Sequence, residues 1–234
     1  MNRILDLKPR AFLFDLDGTL IDSEMLWARA IVSWLADHGI AAGANAIAAL
    51  VFGHSWLDIH ASLHESFPEL PKRSAIEDAS ELRAYYAQLA SDPTAIIIPS
   101  AVRFYREAAK IAPCAIVSGS PHDDVAAITR LCEIDACTSF VLGAEDYARG
   151  KPAPDGYLLA ARRMGVEPHE CVVFEDSTAG VKSGVAAGMN VVGIDRNKII
   201  PQDFTGCILT VPDLSTFLDP QTQMNTMPGF GKRL

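Results

Sequence analysis

Apolar positions follow two different rhythms along this chain. Between residues 20 and 95 they recur at helical spacing. Leu26, Trp27, Ala30, Ile31, Trp34 and Leu35 share one helix face, which Asp22 or Ser23 can cap and Gly39 can end. Residues 57–63 and 76–89 predict further helices, separated by Pro68 and Pro71. From residue 96 onward, short apolar runs alternate with helical patterns. The runs lie at 114–117, 138–142, 171–174, 191–194 and 207–211, with helical stretches at 125–132, 154–164 and 178–187 between them. That alternation predicts βαβ units and a parallel sheet. A first strand, residues 11–14, precedes the helical block and has no crossover helix directly after it.

The simplest topology is an α/β core, residues 1–19 and 96–219, with a helical subdomain, residues 20–95, inserted after the first strand. Segments near 19–22 and 92–99 are the expected crossings, with Pro93 and Pro99 suited to a boundary. Residues 220–234 are polar, rich in glycine and proline, and predict a loosely held tail.

Composition narrows the partners. The chain has 234 residues, 49% of them hydrophobic, and a formal net charge of −9. No basic run is long enough to track a phosphate backbone, which argues against nucleic acid and anionic membranes as partners. No apolar run approaches a membrane span, and residues 1–10 carry charges throughout rather than a secretory core. The five cysteines are odd in number and lack CxxC spacing, so buried thiols in a reducing cytoplasm are expected. No feature specifies an oligomeric state.

Ligands of open parallel sheets bind at the carboxyl ends of the strands. Those positions here read Asp15 and Asp17, then Ser118-Gly119-Ser120, then Glu175-Asp176-Ser177, with Lys151 after a short loop. Asp15 and Asp17, two apart, start on the same side of the first strand. Gly18 then lets the backbone turn and Thr19 adds a hydroxyl. Singly, each feature has a plain structural explanation: Asp-Gly is a turn, Glu175-Asp176 can cap the next helix, and Lys151 can be a solvated surface residue. Together they describe a site for a metal and a phosphate. Mg²⁺ takes hard oxygen ligands, which Asp15 and Asp176, with help from Glu175, can supply. Ser118 and backbone N–H groups ahead of a helix can bind phosphate oxygens. Lys151 offsets the negative charge, and an aspartate can act as nucleophile toward phosphorus.

Four motifs in order make the chain resemble the haloacid dehalogenase superfamily, in the branch of β-phosphoglucomutase-like proteins and sugar-phosphate phosphatases. They are Asp15-Leu16-Asp17-Gly18-Thr19, Val117-Ser118-Gly119, Gly150-Lys151-Pro152-Ala153-Pro154-Asp155, and Phe174-Glu175-Asp176-Ser177 with Ala179-Gly180. The resemblance implies a Rossmann-like core with a small helical cap. It implies Asp15 as the nucleophile that becomes an aspartyl-phosphate. Asp17 would serve as general acid and then base, with its backbone carbonyl on Mg²⁺. Thr19, Ser118 and the Gly119 N–H would hold the phosphoryl group, Lys151 would neutralise charge, and Glu175 and Asp176 would complete the magnesium site.

Within that superfamily Asp17 favours phosphoryl transfer, because the dehalogenases lack this second aspartate. Mutases of the branch are similar to one another in carrying a cap arginine and a cap histidine. The corresponding positions here, the third residue after Gly53 and the tenth after Asp17, are Trp56 and Trp27. Residues 20–94 hold ten Asp and Glu against four Lys and Arg, which disfavours a second phosphate site. Lys72, beside Pro71 and Arg73, is a poor candidate for a Schiff-base lysine of the phosphonoacetaldehyde hydrolase kind. The expected activity is therefore a Mg²⁺-dependent phosphatase acting on small phosphorylated metabolites, sugar or sugar-acid phosphates, with specificity set around Trp27, His54, Ser55 and Trp56. A β-phosphoglucomutase-type mutase and a non-catalytic metabolite-binding or regulatory protein are the alternatives.

Overall fold

The computed structural model describes residue 4 and residues 7–51, 56–89, 92–196 and 201–218. Among these it contains six strands and eight α-helices. The strands are β1 (Ala11–Phe14), β2 (Cys114–Val117), β3 (Thr138–Leu142), β4 (Cys171–Glu175), β5 (Asn190–Ile194) and β6 (Leu209–Val211). The helices are α1 (Ser23–Asp37), α2 (Ala44–Val51), α3 (Trp56–Ser66), α4 (Ala75–Leu89), α5 (Pro99–Ala108), α6 (His122–Leu131), α7 (Asp155–Met164) and α8 (Thr178–Ala186). They form two compact units. One is built from residues through Leu20, from Ile98 to Arg196 and from Gln202 on; the other is Ile21–Ile97 with Pro201.

The first unit is an all-parallel sheet in the order β3-β2-β1-β4-β5-β6. Its central strands read as continuous apolar runs because both faces are covered. Ala11 and Leu13 point into a cluster with Val117, Tyr157, Ala160 and Val181 from β2, α7 and α8. Phe12 and Phe14 point the other way into an aromatic layer. Phe14 stacks on Phe174 with centroids 4.6 Å apart, and Tyr105 and Phe104 of α5 close over it. The register pairs Phe14 with Phe174, so β1 and β4 end side by side. The chain steps outward from β1 to β2 and β3, then returns to place β4 on the other flank of β1. The carboxyl ends of β1 and β4 therefore flank the switch point of the sheet.

α5 has no counterpart among the elements predicted from the pattern, although Val102, Tyr105 and Ala108 lie buried along one side of it. Two features obscure it. Pro99 looks like a breaker but occupies the first turn, where its missing N–H is harmless, and the helix begins directly after a crossing segment. The last strand is shorter than its apolar run, beginning at Leu209 rather than at Cys207. The five cysteines are free thiols, and Cys114, Cys132 and Cys171 are buried.

The helical unit has its own core. Ile31, Trp34 and Leu35 of α1 pack with Ile47 and Ala48 of α2, Ile59 and Leu63 of α3, and Leu82 of α4. Asp22 caps α1 by accepting from the Met25 N–H, and Gly39 follows its end at a positive φ of 77°. Ser74 and Glu77 form a reciprocal capping box at the start of α4, with the Glu77 carboxylate 2.8 Å from the Ser74 N–H. The proposed tail, residues 220–234, lies outside the described residues. Among the described residues no helix is long and apolar enough to cross a membrane.

Candidate active site

The carboxylates expected from the sequence to be functional cluster where β1 and β4 end. The Asp15 N–H donates to the Phe174 carbonyl at 3.0 Å, which carries the pairing one residue past the strand and sets Asp15 beside Glu175. Carboxylate oxygens of Asp15, Glu175 and Asp176 lie within 4.8 Å of one another, and all three residues are buried. Gly18 takes a φ of 85°, a conformation that a side chain would strain, and so turns the chain back sharply after Asp17.

Lys151 supplies the positive charge. Its Nζ donates to Asp15 Oδ1, to the Val117 carbonyl at 3.0 Å and to Glu175 Oε1 at 2.6 Å, which uses its three N–H groups. The peptide bond from Lys151 to Pro152 is cis. Burial pushes the ammonium down, but the charges of Asp15 and Glu175 outweigh it and its pKa stands above that of an ordinary lysine. Burial likewise raises the Asp15 carboxyl well above its usual range. Lys151 opposes that rise, and the Glu175 and Asp176 charges add to it. Three carboxylates against one ammonium leave an excess of negative charge in a buried place.

Glu175 is fully engaged. Oε1 accepts from Lys151 and from the Tyr157 hydroxyl at 2.9 Å. Oε2 accepts from the N–H groups of Asp176 and Ser177, at 3.1 and 3.2 Å, and from the Ser177 hydroxyl at 3.0 Å. The Ser177 hydroxyl also accepts from the Gly180 N–H and so caps α8. Glu175 thereby ties the end of β4 to the start of α8.

Asp17 stands outside the three-carboxylate cluster. Its Oδ2 accepts from the Ser120 hydroxyl at 2.8 Å and lies 3.4 Å from the Ser118 hydroxyl. Ser118 also accepts from the Ser120 N–H at 3.0 Å, while Tyr147 donates to the Ser118 carbonyl at 2.6 Å. A Cβ added at Gly119 would meet nothing within 4 Å, so space lies open beside this turn. Thr19 is fully buried and donates to Asp176 Oδ1 at 3.3 Å. Of the two aspartates in the first motif, one joins the metal-type cluster and the other joins the serine turn after β2.

Residues 9–188 match the haloacid dehalogenase-like hydrolase family. The chain belongs to that family. It is 35% identical over 198 residues to hexitol phosphatase A of Escherichia coli K12, covering 84% of this chain and 88% of the relative. It is 29% identical over 182 residues to fructose-1-phosphate phosphatase YqaB of the same organism, covering 78% and 94%. Among solved structures, it is similar to a HAD family hydrolase from Deinococcus radiodurans R1, with a TM-score of 0.71, 25% identity, and 93% and 97% of the two chains covered. The chain thus falls in the phosphoric monoester hydrolase branch of the family.

The structure brings together Asp15, Asp17, Thr19, Ser118, Gly119, Lys151, Glu175 and Asp176. Of the four residues expected to set specificity, Trp27 and Trp56 belong to the helical unit. Trp27 is 36% exposed and stacks on Tyr86, with centroids 4.1 Å apart. Trp56 donates its indole N–H to the Ala75 carbonyl at 2.7 Å, tying α3 to α4. His54 and Ser55 lie outside the described residues.

Two contributors escape the motif reading. Tyr157 reaches Glu175 from α7, where its position in an apolar helical pattern marks it only as core. Ser120 has a weak signal, as a second hydroxyl in the turn after β2, but its link to Asp17 spans 103 residues of sequence.

Proposed function

We propose that the protein is a Mg²⁺-dependent phosphatase that hydrolyses small phosphorylated metabolites, sugar phosphates first among them. The observation that carries this reading is the meeting of Asp15, Glu175, Asp176 and Lys151 at the switch point of the sheet, with Asp17 held separately by two serines. The donor set fits a hard divalent cation, because every ligand is oxygen and the buried carboxylates outnumber the one ammonium. Asp15 and Asp176 would hold the ion through their carboxylates and Asp17 through its backbone carbonyl. Glu175, engaged by five donors, would act on it by fixing Asp176 and Lys151. Mg²⁺ supplies the charge that lets an anionic phosphate approach anionic side chains.

The residues then divide the chemistry. A carboxylate oxygen of Asp15 attacks phosphorus, and the bond from phosphorus to the ester oxygen breaks. Asp17 gives its proton to the departing alkoxide. With Asp15 now an aspartyl-phosphate, Asp17 takes a proton from a water molecule, whose oxygen attacks phosphorus. The bond from Asp15 to phosphorus breaks, inorganic phosphate leaves and Asp15 is restored. Thr19, Ser118 and the Gly119 N–H orient the phosphoryl oxygens, and the Lys151 charge offsets theirs. Selection among substrates is assigned to the helical unit, through Trp27, Trp56, His54 and Ser55. The names of the E. coli relatives, a hexitol phosphatase and a fructose-1-phosphate phosphatase, support a sugar-phosphate panel as the starting point.

The test is inorganic phosphate release from such a panel, with and without Mg²⁺, for the protein and for Asp15→Asn. Metal-dependent release that the variant loses is expected. Interconversion of sugar phosphates without phosphate release, or release that survives in Asp15→Asn, would overturn the reading.

A further inference from the structure

The helical unit carries a second cluster of metal-type ligands, separate in sequence and in chemistry from the carboxylates of the sheet. His60 and His64 are four residues apart on one face of α3, and Asp78 projects from the first turn of α4. The Nε2 atoms of the two histidines lie 3.2 and 2.8 Å from Asp78 Oδ2. The rings are neighbours, with centroids 4.3 Å apart. One ligand atom from each of the three residues lies within 4.8 Å of the other two.

Hydrogen bonding leaves part of this cluster unsatisfied. His64 pairs with Asp78 at 2.8 Å. His60 Nε2, although near the same oxygen, is buried and makes no hydrogen bond, and neither does the buried Asp78 Oδ1. Asp78 is 1% exposed, so its second oxygen has no solvent to fall back on. Arg73 approaches Oδ1 only to 3.8 Å and pairs with Glu81. A carboxylate buried with an orphaned oxygen, next to an imidazole nitrogen that makes no hydrogen bond, is costly unless something else fills the gap.

We infer that His60, His64 and Asp78 form a binding site for a borderline divalent transition metal, Zn²⁺ in the first place, that braces α3 against α4. Two imidazoles and one carboxylate are a zinc-type donor set, whereas Mg²⁺ prefers oxygen alone. The separations suit it: bonds of about 2.0–2.2 Å in a tetrahedral site put neighbouring ligand atoms roughly 3.3 Å apart. One coordination position remains for water, and the histidine side chains, 18% and 22% exposed, give the ion a way in. The ion would cross-link two helices that already share the core of this unit through Ile59, Leu63 and Leu82 and the hydrogen bond of the Trp56 indole. It uses no residue of the phosphatase reading, so the two stand or fall separately.

The experiment uses the full chain, stripped of metal by a chelator and titrated with Co²⁺ in excess Mg²⁺. A histidine-ligated site of low coordination number gives intense visible bands, while Co²⁺ on the oxygen ligands of the sheet gives faint ones. Intense bands saturating at one Co²⁺ per chain, bleached by Zn²⁺ and lost in His60→Gln and in His64→Gln, are expected. Asp78→Asn, which keeps the shape of the side chain, should weaken Co²⁺ binding at least about tenfold. Circular dichroism of each variant checks that the helices persist. Absence of intense bands in the unmodified chain overturns the proposal without recourse to any variant and leaves the cluster a protein-only ion-pair network. Bands that survive both histidine substitutions overturn it as well, by placing the ion elsewhere.

Discussion

Gly180 leaves the space that the Glu175 carboxylate occupies. A Cβ at position 180 would overlap both carboxylate oxygens of Glu175. That single close approach explains why a residue with no side chain stands in the first turn of α8. The carboxylate it accommodates accepts from Lys151, Tyr157, Asp176 and Ser177.

Gly180→Ala should therefore disturb stability and catalysis together. Overpacking costs about 1–3 kcal/mol, and a chain of this size loses roughly 2–4 °C in Tm for each kcal/mol. Displacement of Glu175 would also release Lys151 from its place against Asp15. Thermal unfolding and phosphate release, measured on the same preparation, should fall together. Gly119→Ala, where a Cβ meets nothing within 4 Å, is the control for a glycine with room around it and should leave Tm within a degree or two.

Lys151→Met removes the one ammonium between Asp15 and Glu175. Breaking a buried pair by deleting one partner costs about 3–5 kcal/mol, because the remaining charges stay buried and uncompensated. The lysine's folded pKa is raised, so its contribution is fully present below the ordinary lysine value and is lost only as pH rises through the raised one. The gap in urea midpoint between the protein and Lys151→Met should therefore hold steady from pH 7 to 9. A gap that closes within that window would contradict the buried-pair account.

Ser120→Ala tests the serine that positions Asp17. Its hydroxyl donates to Asp17 Oδ2 at 2.8 Å, and a hydrogen bond to a charged group contributes about 1.5–3 kcal/mol. Expressed in the proton-transfer step, that is roughly a 10- to 100-fold loss of kcat. Affinity for Mg²⁺ should be unchanged, since Asp17's carboxylate stands outside the three-carboxylate cluster. Steady-state kinetics together with a metal titration separates the two effects.

His122 and Asp146 give the sheet unit a pH dependence at the start of α6, two residues past Ser120. His122 Nδ1 lies 2.6 Å from Asp146 Oδ2, and that hydrogen bond raises the imidazole pKa, with Asp146, Glu145 and Asp123 adding their charges. A raised histidine pKa adds stability that is fully present below about 6.5 and is lost as pH rises through the folded value. The pair is solvent-facing, so the change should be small, about 0.2–1 kcal/mol. Urea midpoints should fall slightly from pH 6 to 8, and His122→Asn should flatten that part of the profile.

Much of this molecule was legible from local pattern. Strands β1 and β2 coincide with apolar runs bounded by polar or turn residues, since a buried parallel strand has little choice but to be apolar throughout, while β3, at the sheet edge, matches its predicted bounds despite opening on Thr138 and Ser139. The order of Asp15-Asp17, Ser118-Gly119, Lys151 and Glu175-Asp176 along the chain was enough to mark the strand ends as the place where a carboxylate cluster and a buried lysine meet. α5 was harder to read because a proline in the first turn of a helix looks, in isolation, like a break. Trp27 sits in the predicted stripe of α1 yet is partly exposed, because a 100° period defines a face but not the width of the partner that covers it.

The amino-acid sequence by itself determined the α/β class, the helical insertion and the family, and it named the candidate site residues, because each rests on local periodicity or on short motifs. The tertiary structure alone decided which of those residues share charge and hydrogen bonds. It placed β4 beside β1 rather than at the edge, put Tyr157 and Lys151 on one oxygen of Glu175, and gave Asp17 to Ser120. It also brought His60, His64 and Asp78 together across two helices. Such contacts join positions far apart along the chain, and their geometry follows from strand order and helix packing, which no local stretch of sequence encodes.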